Sequence, residues 1–262
     1  MQRGTPSDQR PTDVYFFATC LVDLFCPEAG MDAIALLERE GVAVHFPQDQ
    51  TCCGQPAYTS GFADQARSVA LKQIQLFPND WPVIVPSGSC AGMMRNDYPR
   101  LFADQPELQA QARALAGRVF ELAEFLLNVL QVKWNERVQD RSEPVTVAVH
   151  TSCTARREMG TYEHVHALLG QLAGVKVVTQ EREAECCGFG GTFSLKLPAI
   201  SAAISDDKAD AIKASGAQSY VSADCGCLLN IRHTLEKRGD ALPGKHLATF
   251  LRERLSTPDD KS

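Results

Sequence analysis

Two short stretches concentrate the reactive side chains of this 262-residue chain. Thr51–Gln55 reads TCCGQ, and Glu185–Gly191 reads ECCGFGG. Each sets two thiols side by side and follows them at once with glycine. Single cysteines flank both pairs at matched distances. Between Cys20 and the Cys52-Cys53 pair lie 31 residues, and between Cys153 and Cys186-Cys187 lie 32. From the pairs to Cys90 and Cys227 the intervening lengths are 36 and 39.

Four thiolates gathered on one point suit soft metals, namely iron–sulfur clusters or zinc. Adjacent cysteines make a strained disulfide ring, but they can serve as ligands to two atoms of one polynuclear cluster. Gly54 and Gly188 then let the backbone turn closely around the group. The GFGG run adds amide donors that would point at cluster sulfurs and tune potential. Zinc in one half is the rival occupant, in a zinc-stabilised scaffold that would assemble other redox subunits, although structural zinc commonly shows two CxxC-like knuckles. Here the close non-adjacent pair is Cys225-Gly-Cys227. A thiol–disulfide enzyme using the vicinal pairs is a third reading.

Other residues near the cysteines carry less. Cys26 has no counterpart in the second half and reads as a helix-start or core cysteine. Met93 reads as core packing, with a weak thioether ligand as the other option. His150 would donate a hydrogen bond to a cluster or carry a proton, and it equally suits a core position. Arg156 and Arg157 would offset the charge of a thiolate-bound group or sit at a solvated helix start. GFGGTF fails the GxGxxG dinucleotide fingerprint, so no nicotinamide or flavin site is read, and no Ser/His/Asp set presents itself.

The elements that must position these thiols repeat as well, with a period near 135 that marks two similar domains. DVYFFATC and VTVAVHTSC are apolar runs ending in cysteine and predict buried strands. Helical patterns follow in PEAGMDAIALLERE and YEHVHALLGQLAG. Second strands, VAVHFP and VKVVTQ, lead into the CCG loops. Helices FADQARSVALKQIQLF and LPAISAAISDDKADAIKASG come next, and third strands PVIVPSGSC and QSYVSADCGC again end in cysteine. Strand and helix alternate, so each half predicts a parallel sheet flanked by helices, an α/β fold. The domains are expected at 13–140 and 145–255. Glu107–Gln131 predicts one or two long helices closing the first half, and the polar NERVQDRSEP predicts the join. In such sheets ligands bind at the carboxyl ends of the strands, and one edge per domain would gather all its cysteines.

Composition limits the rest. The chain is 44% hydrophobic and 22% charged with net charge −6. No basic block predicts a nucleic-acid surface. The polar N-terminus is expected to be frayed. No secretory signal is read, and the apolar run VYFFATCLVDLF is too short to span a bilayer. A cytoplasmic location is expected, where ten cysteines serve better as ligands or redox groups than as staples.

The doubled pattern of Cys, CysCysGly and Cys resembles the CCG cysteine-rich family, over about Asp13 to Leu255. That family includes the cysteine-rich component of heterodisulfide reductase, the iron–sulfur component of glycolate oxidase and a component of anaerobic glycerol-3-phosphate dehydrogenase. The stand-alone pair of domains with HTSC, CCGFGGTFS and ADCGCLLN is most similar to the lactate-utilisation branch. The resemblance implies an iron–sulfur electron-transfer subunit, non-catalytic itself, that works with two partners. Those are an iron–sulfur protein B and a protein C, in a complex oxidising L-lactate to pyruvate. It implies one or two clusters, of the 4Fe-4S kind. The ligands would be Cys20, Cys52, Cys53 and Cys90, then Cys153, Cys186, Cys187 and Cys227, with Cys225 as an optional fifth. The family's fuller pattern ends in CxxC. The first half reads Cys90-Ala-Gly-Met93 and lacks that last thiol, which argues there against the two-part cluster of the heterodisulfide reductase.

Overall fold

The computed structural model describes residues 10–137, 143–240 and 242–256. The N-terminal residues through Gln9 and the middle of the expected join, 138–142, lie outside the described residues.

The first unit runs β1 (Asp13–Phe16), α1 (Cys20–Phe25), α2 (Pro27–Arg39), β2 (Ala43–His45), α3 (Gln55–Thr59), α4 (Ala63–Gln75) and β3 (Val83–Val85). It continues through α5 (Gly88–Gly92), a π-helical turn at Met93–Asp97, α6 (Tyr98–Leu101), α7 (Pro106–Gly117) and β4 (Val119–Glu121). It closes with α8 (Leu122–Glu124), a second π turn at Phe125–Val129 and α9 (Trp134–Arg137). The second unit has β5 (Val145–His150), a π turn at Ala155–Met159, α10 (Thr161–Leu169), β6 (Val175–Val178), α11 (Thr192–Lys196) and α12 (Pro198–Ala214). Then come β7 (Ser219–Ser222), α13 (Cys225–Lys237), β8 (Gly244–His246) and α14 (Leu247–Leu255).

The two sheets share one topology. Their strand orders are β2-β1-β3-β4 and β6-β5-β7-β8, and every pairing is parallel. The equivalent strands fall in the same places, consistent with a duplication. The α/β class read from the sequence is the class observed.

Side-chain alternation along the strands divides the core into three. Val14 and Phe16 of β1, with Val147 and Val149 of β5, face one apolar layer common to both units. Leu36 and Leu37 of α2, Leu168 of α10, and Leu251 and Leu255 of α14 complete it. Tyr15 and Phe17 face a separate cluster in the first unit. Ala148 and Tyr220 face its equivalent in the second. Central strands buried on both faces read as unbroken apolar runs, which is the pattern of DVYFF and VTVAV.

One expectation is corrected. The long helical pattern over Glu107–Gln131 is interrupted by β4, a fourth strand. Val119, Phe120 and Glu121 pair in register with Val83, Ile84 and Val85, and the Arg118 carbonyl accepts from the Val83 N–H at 2.8 Å. The aliphatic run flanking Val119 is helical in pattern, but burial on the sheet edge overrides local propensity. β8 is the matching fourth strand in the second unit, also unread from the sequence.

Candidate metal centre

The first set of cysteines comes from three loops at the carboxyl ends of strands. Cys20 opens α1 after β1, Cys52 and Cys53 lie in the loop from β2 to α3, and Cys90 sits in α5 after β3. Their thiols neighbour one another in series, Cys20 beside Cys52, Cys52 beside Cys53 and Cys53 beside Cys90. The N–H of Gly54 donates to Cys52 Sγ at 3.4 Å. Tyr98 Oη donates to the Cys53 carbonyl at 2.9 Å and fixes the pair from below. Interaction with the neighbouring Cys20 and Cys53 thiols holds the pKa of Cys52 down to about 3. The same interaction with Cys52, with burial, pushes Cys20 up, and interactions with Cys52 and Cys90 push Cys53 up. The four thiols share their protons, and a cation held by them would release those protons.

The second set repeats the plan. Cys153 follows β5, Cys186 and Cys187 lie in the loop after β6, and Cys227 sits in the first turn of α13 after β7. Cys153 lies beside Cys186, Cys186 beside Cys187, and Cys187 beside Cys227. The Gly188 N–H donates to Cys186 Sγ at 3.3 Å. Asn230 Nδ2 donates to the Cys187 carbonyl at 2.8 Å, as Tyr98 does for Cys53 in the first unit. Gly188 is required here. Its φ is +85°, and a Cβ would lie 2.4 Å from the Ser201 carbonyl oxygen.

A histidine joins this second group. His150, Cys187 and Cys227 bring their ligand atoms within 4.8 Å of one another. His150 is only 1% exposed, and neither ring nitrogen has a hydrogen-bond partner. Burial lowers its pKa to about 3, so the imidazole is neutral and able to ligate or to donate toward sulfur.

Between the two sites runs a buried polar seam that sequence reasoning missed. Asp224, immediately before Cys225, accepts from Ser87 Oγ at 2.8 Å, from the Ser89 N–H at 3.0 Å and from Ser89 Oγ at 2.6 Å. It ties the loop of Cys90 to the loop of Cys227. Its place inside ADCGC is the one signal that marked it. Cys225 itself turns from the group around Cys227. Its Sγ lies 2.6 Å from Cys26 Sγ and also bonds the Leu21 carbonyl at 3.4 Å. The bond from Cys225 lowers the pKa of Cys26 and raises that of Cys225. Met93 is fully buried in the first unit's outer cluster. Arg156 is engaged by Glu183 at 2.9 Å and lies over the Tyr162 ring.

The arrangement twice repeats an all-thiol set, and a sequence profile describing a cysteine-rich domain, CCG, matches the chain twice, over residues 14–95 and 147–232. The chain belongs to the CCG cysteine-rich family. Among its relatives are proteins named lactate utilization protein A. The one from Shouchella clausii is 40% identical over 242 residues, covering 92% of this chain and 99% of the relative. That from Halalkalibacterium halodurans is 39% identical over 247 residues, covering 94% and 99%. A hypothetical protein from Helicobacter pylori has a similar fold, with TM-score 0.63 and 11% identity, over 96% of this chain and 51% of that one.

The donors fit a soft metal of this CCG protein. Each site offers sulfur from three loops, a backbone N–H aimed at one of those sulfurs and, in the second, a buried neutral imidazole. No helix among the described residues is long and apolar enough to cross a membrane.

Proposed function

We propose that this chain is an iron–sulfur electron-transfer subunit in lactate utilisation, serving the oxidation of L-lactate to pyruvate. The observation that supports the reading is the placement of four cysteines per unit at or just after equivalent strand ends, with Cys187 and Cys227 among the ligand atoms within 4.8 Å of one another. The name shared by relatives at about 40% identity over nearly their whole length supports the metabolic setting. Cys20, Cys52, Cys53 and Cys90 would hold one cluster, and Cys153, Cys186, Cys187 and Cys227 the other. A bound 4Fe-4S cluster supplies a one-electron carrier whose potential depends on hydrogen bonds to its sulfurs and on burial.

The chain's own residues do the rest. The Gly54 and Gly188 N–H groups stabilise charge on Cys52 and Cys186 Sγ. Tyr98 and Asn230 keep the vicinal pairs in place. Asp224 couples the two loops mechanically. The proposed partners are an iron–sulfur protein B and a protein C of the lactate-utilisation system, in the cytoplasm, and the lactate chemistry is assigned to those partners. The two domains of this reading span 13–140 and 145–255.

One observation favours a second occupant in the second unit. His150 beside Cys187 and Cys227 is a mixed nitrogen and sulfur set that suits zinc. Anaerobic purification separates the readings. The iron–sulfur account expects a broad visible absorption, from thiolate-ligated iron, that bleaches on reduction. A colourless protein with stoichiometric zinc would remove the electron-transfer role.

A further inference from the structure

We propose that Cys26 and Cys225 are a reversible dithiol switch that cross-links the two units, distinct from both metal centres. Their sulfurs lie 2.6 Å apart across 199 residues of chain, and both are free thiols. A disulfide bond is about 2.05 Å, so closure asks for a sulfur shift of about half an ångström.

The pair stands outside the duplicated ligand plan. Cys26 lies six residues after Cys20, and the residue six after Cys153 is Met159. Cys225 lies two before Cys227, and the residue two before Cys90 is Gly88. The equivalent place on the other side of the interface therefore holds no thiol. A Cβ on Gly88 would come within 2.3 Å of the Ala155 Cβ, so that side is closed even to alanine. The two added thiols occur together, on opposite units, facing each other.

Both sulfurs sit on backbone that is held. Cys26 caps the end of α1, its N–H bonds the Val22 carbonyl at 3.0 Å, and its carbonyl accepts from Ala29 at the start of α2. Cys225 opens α13 behind Asp224, which Ser87 and Ser89 anchor. Cys26 is 3% exposed and Cys225 2%. That restricts the oxidant to the smallest class, a peroxide. Leu24 and Phe25, just before Cys26 in the chain, are exposed.

The chemistry balances with hydrogen peroxide. The Cys26 thiolate attacks one peroxide oxygen and expels hydroxide, which leaves as water after taking a proton, and Cys26 becomes a sulfenic acid. The Cys225 thiol attacks that sulfur, the S–S bond forms, and the sulfenic oxygen leaves as a second water. The two thiols give up two electrons and two protons, and peroxide is reduced to two waters. A dithiol reductant reverses the step.

The test uses anaerobically isolated, metal-loaded protein treated with one to a few equivalents of hydrogen peroxide. Free thiols are then alkylated and peptides mapped without reduction. The expected result is a linked pair of peptides carrying Cys26 and Cys225, forming before any other disulfide and lost on adding dithiothreitol. C26S should leave Cys225 fully alkylated after peroxide. Both C26S and C225S should keep the wild-type metal content. Independent alkylation of the two cysteines after peroxide, or disulfides confined to the other eight, would overturn the switch. Loss of metal in C225S would do so too, by making Cys225 a ligand. The pair needs no particular metal, so the same cross-link is expected with iron or zinc bound.

Discussion

At the scale of single residues, the buried carboxyl of Glu121 yields the clearest pH prediction. It is wholly buried at the end of β4, and burial raises its pKa to about 8. Its Oε2 caps α8 by accepting from Ala123 N–H at 2.9 Å and Glu124 N–H at 3.2 Å, while Oε1 has no partner. A carboxyl whose folded pKa is raised binds its proton more tightly when folded. Its contribution is full below the unfolded value near 4.5 and is lost as pH rises through about 8. Glu121→Gln keeps an acceptor for the cap and removes the titration. Between pH 5 and 8 the wild type should lose roughly 3–5 kcal/mol relative to the variant, at about 1.4 kcal/mol per unit. Parallel urea midpoints for the two proteins across that range would show Glu121 already ionised and solvated. The vicinal cysteines were legible at this scale because their type and spacing are both in the sequence. The Cys26–Cys225 contact was not, since nothing local ties residues 199 apart.

At the scale of elements, the glycine after each thiol pair decides whether the loop can close. Gly188 has a positive φ and a Cβ position blocked by Ser201 and Ser205 backbone atoms. Gly188→Ala should cost about 2–4 kcal/mol, combining left-handed strain with overpacking. It should also reduce the metal held by the second unit. Gly61 is the control. It has φ +84° but nothing within 4 Å of its Cβ position. Gly61→Ala should cost about 1 kcal/mol and leave metal content unchanged. Equal losses in thermal unfolding and metal analysis would mean that the Gly188 cradle is not what shapes the site. The strand and helix order around the cysteines was readable from apolar runs and caps. β4 and β8 were not, because three-residue strands carry no periodicity and owe their form to the neighbouring β3 and β7.

At the scale of the whole molecule, the common apolar layer makes the two units stand or fall together. Leu251 of α14 is fully buried in that layer with Leu36 and Leu37 of α2. Leu251→Ala should cost about 2–5 kcal/mol. Both tryptophans, Trp81 and Trp134, lie in the first unit. Their emission in urea should therefore shift with the variant as far as the far-ultraviolet ellipticity, which reports both units. An unmoved tryptophan transition would show units that unfold separately. The duplication itself was visible in the spacing of the cysteines. The way the halves share a core was not, because an apolar run does not say which sheet its other face will meet.

The central claim is that distant thiols meet, once per unit, to grip a metal. Cys53 and Cys187 are the most enclosed member of each vicinal pair, at 2% exposure apiece. Metal and sulfide analysis of anaerobically isolated wild type, Cys53→Ser and Cys187→Ser tests that claim most directly, with circular dichroism to verify folding. Each folded variant should lose its own unit's metal and keep the other's. Unchanged metal content in both folded variants would contradict the claim.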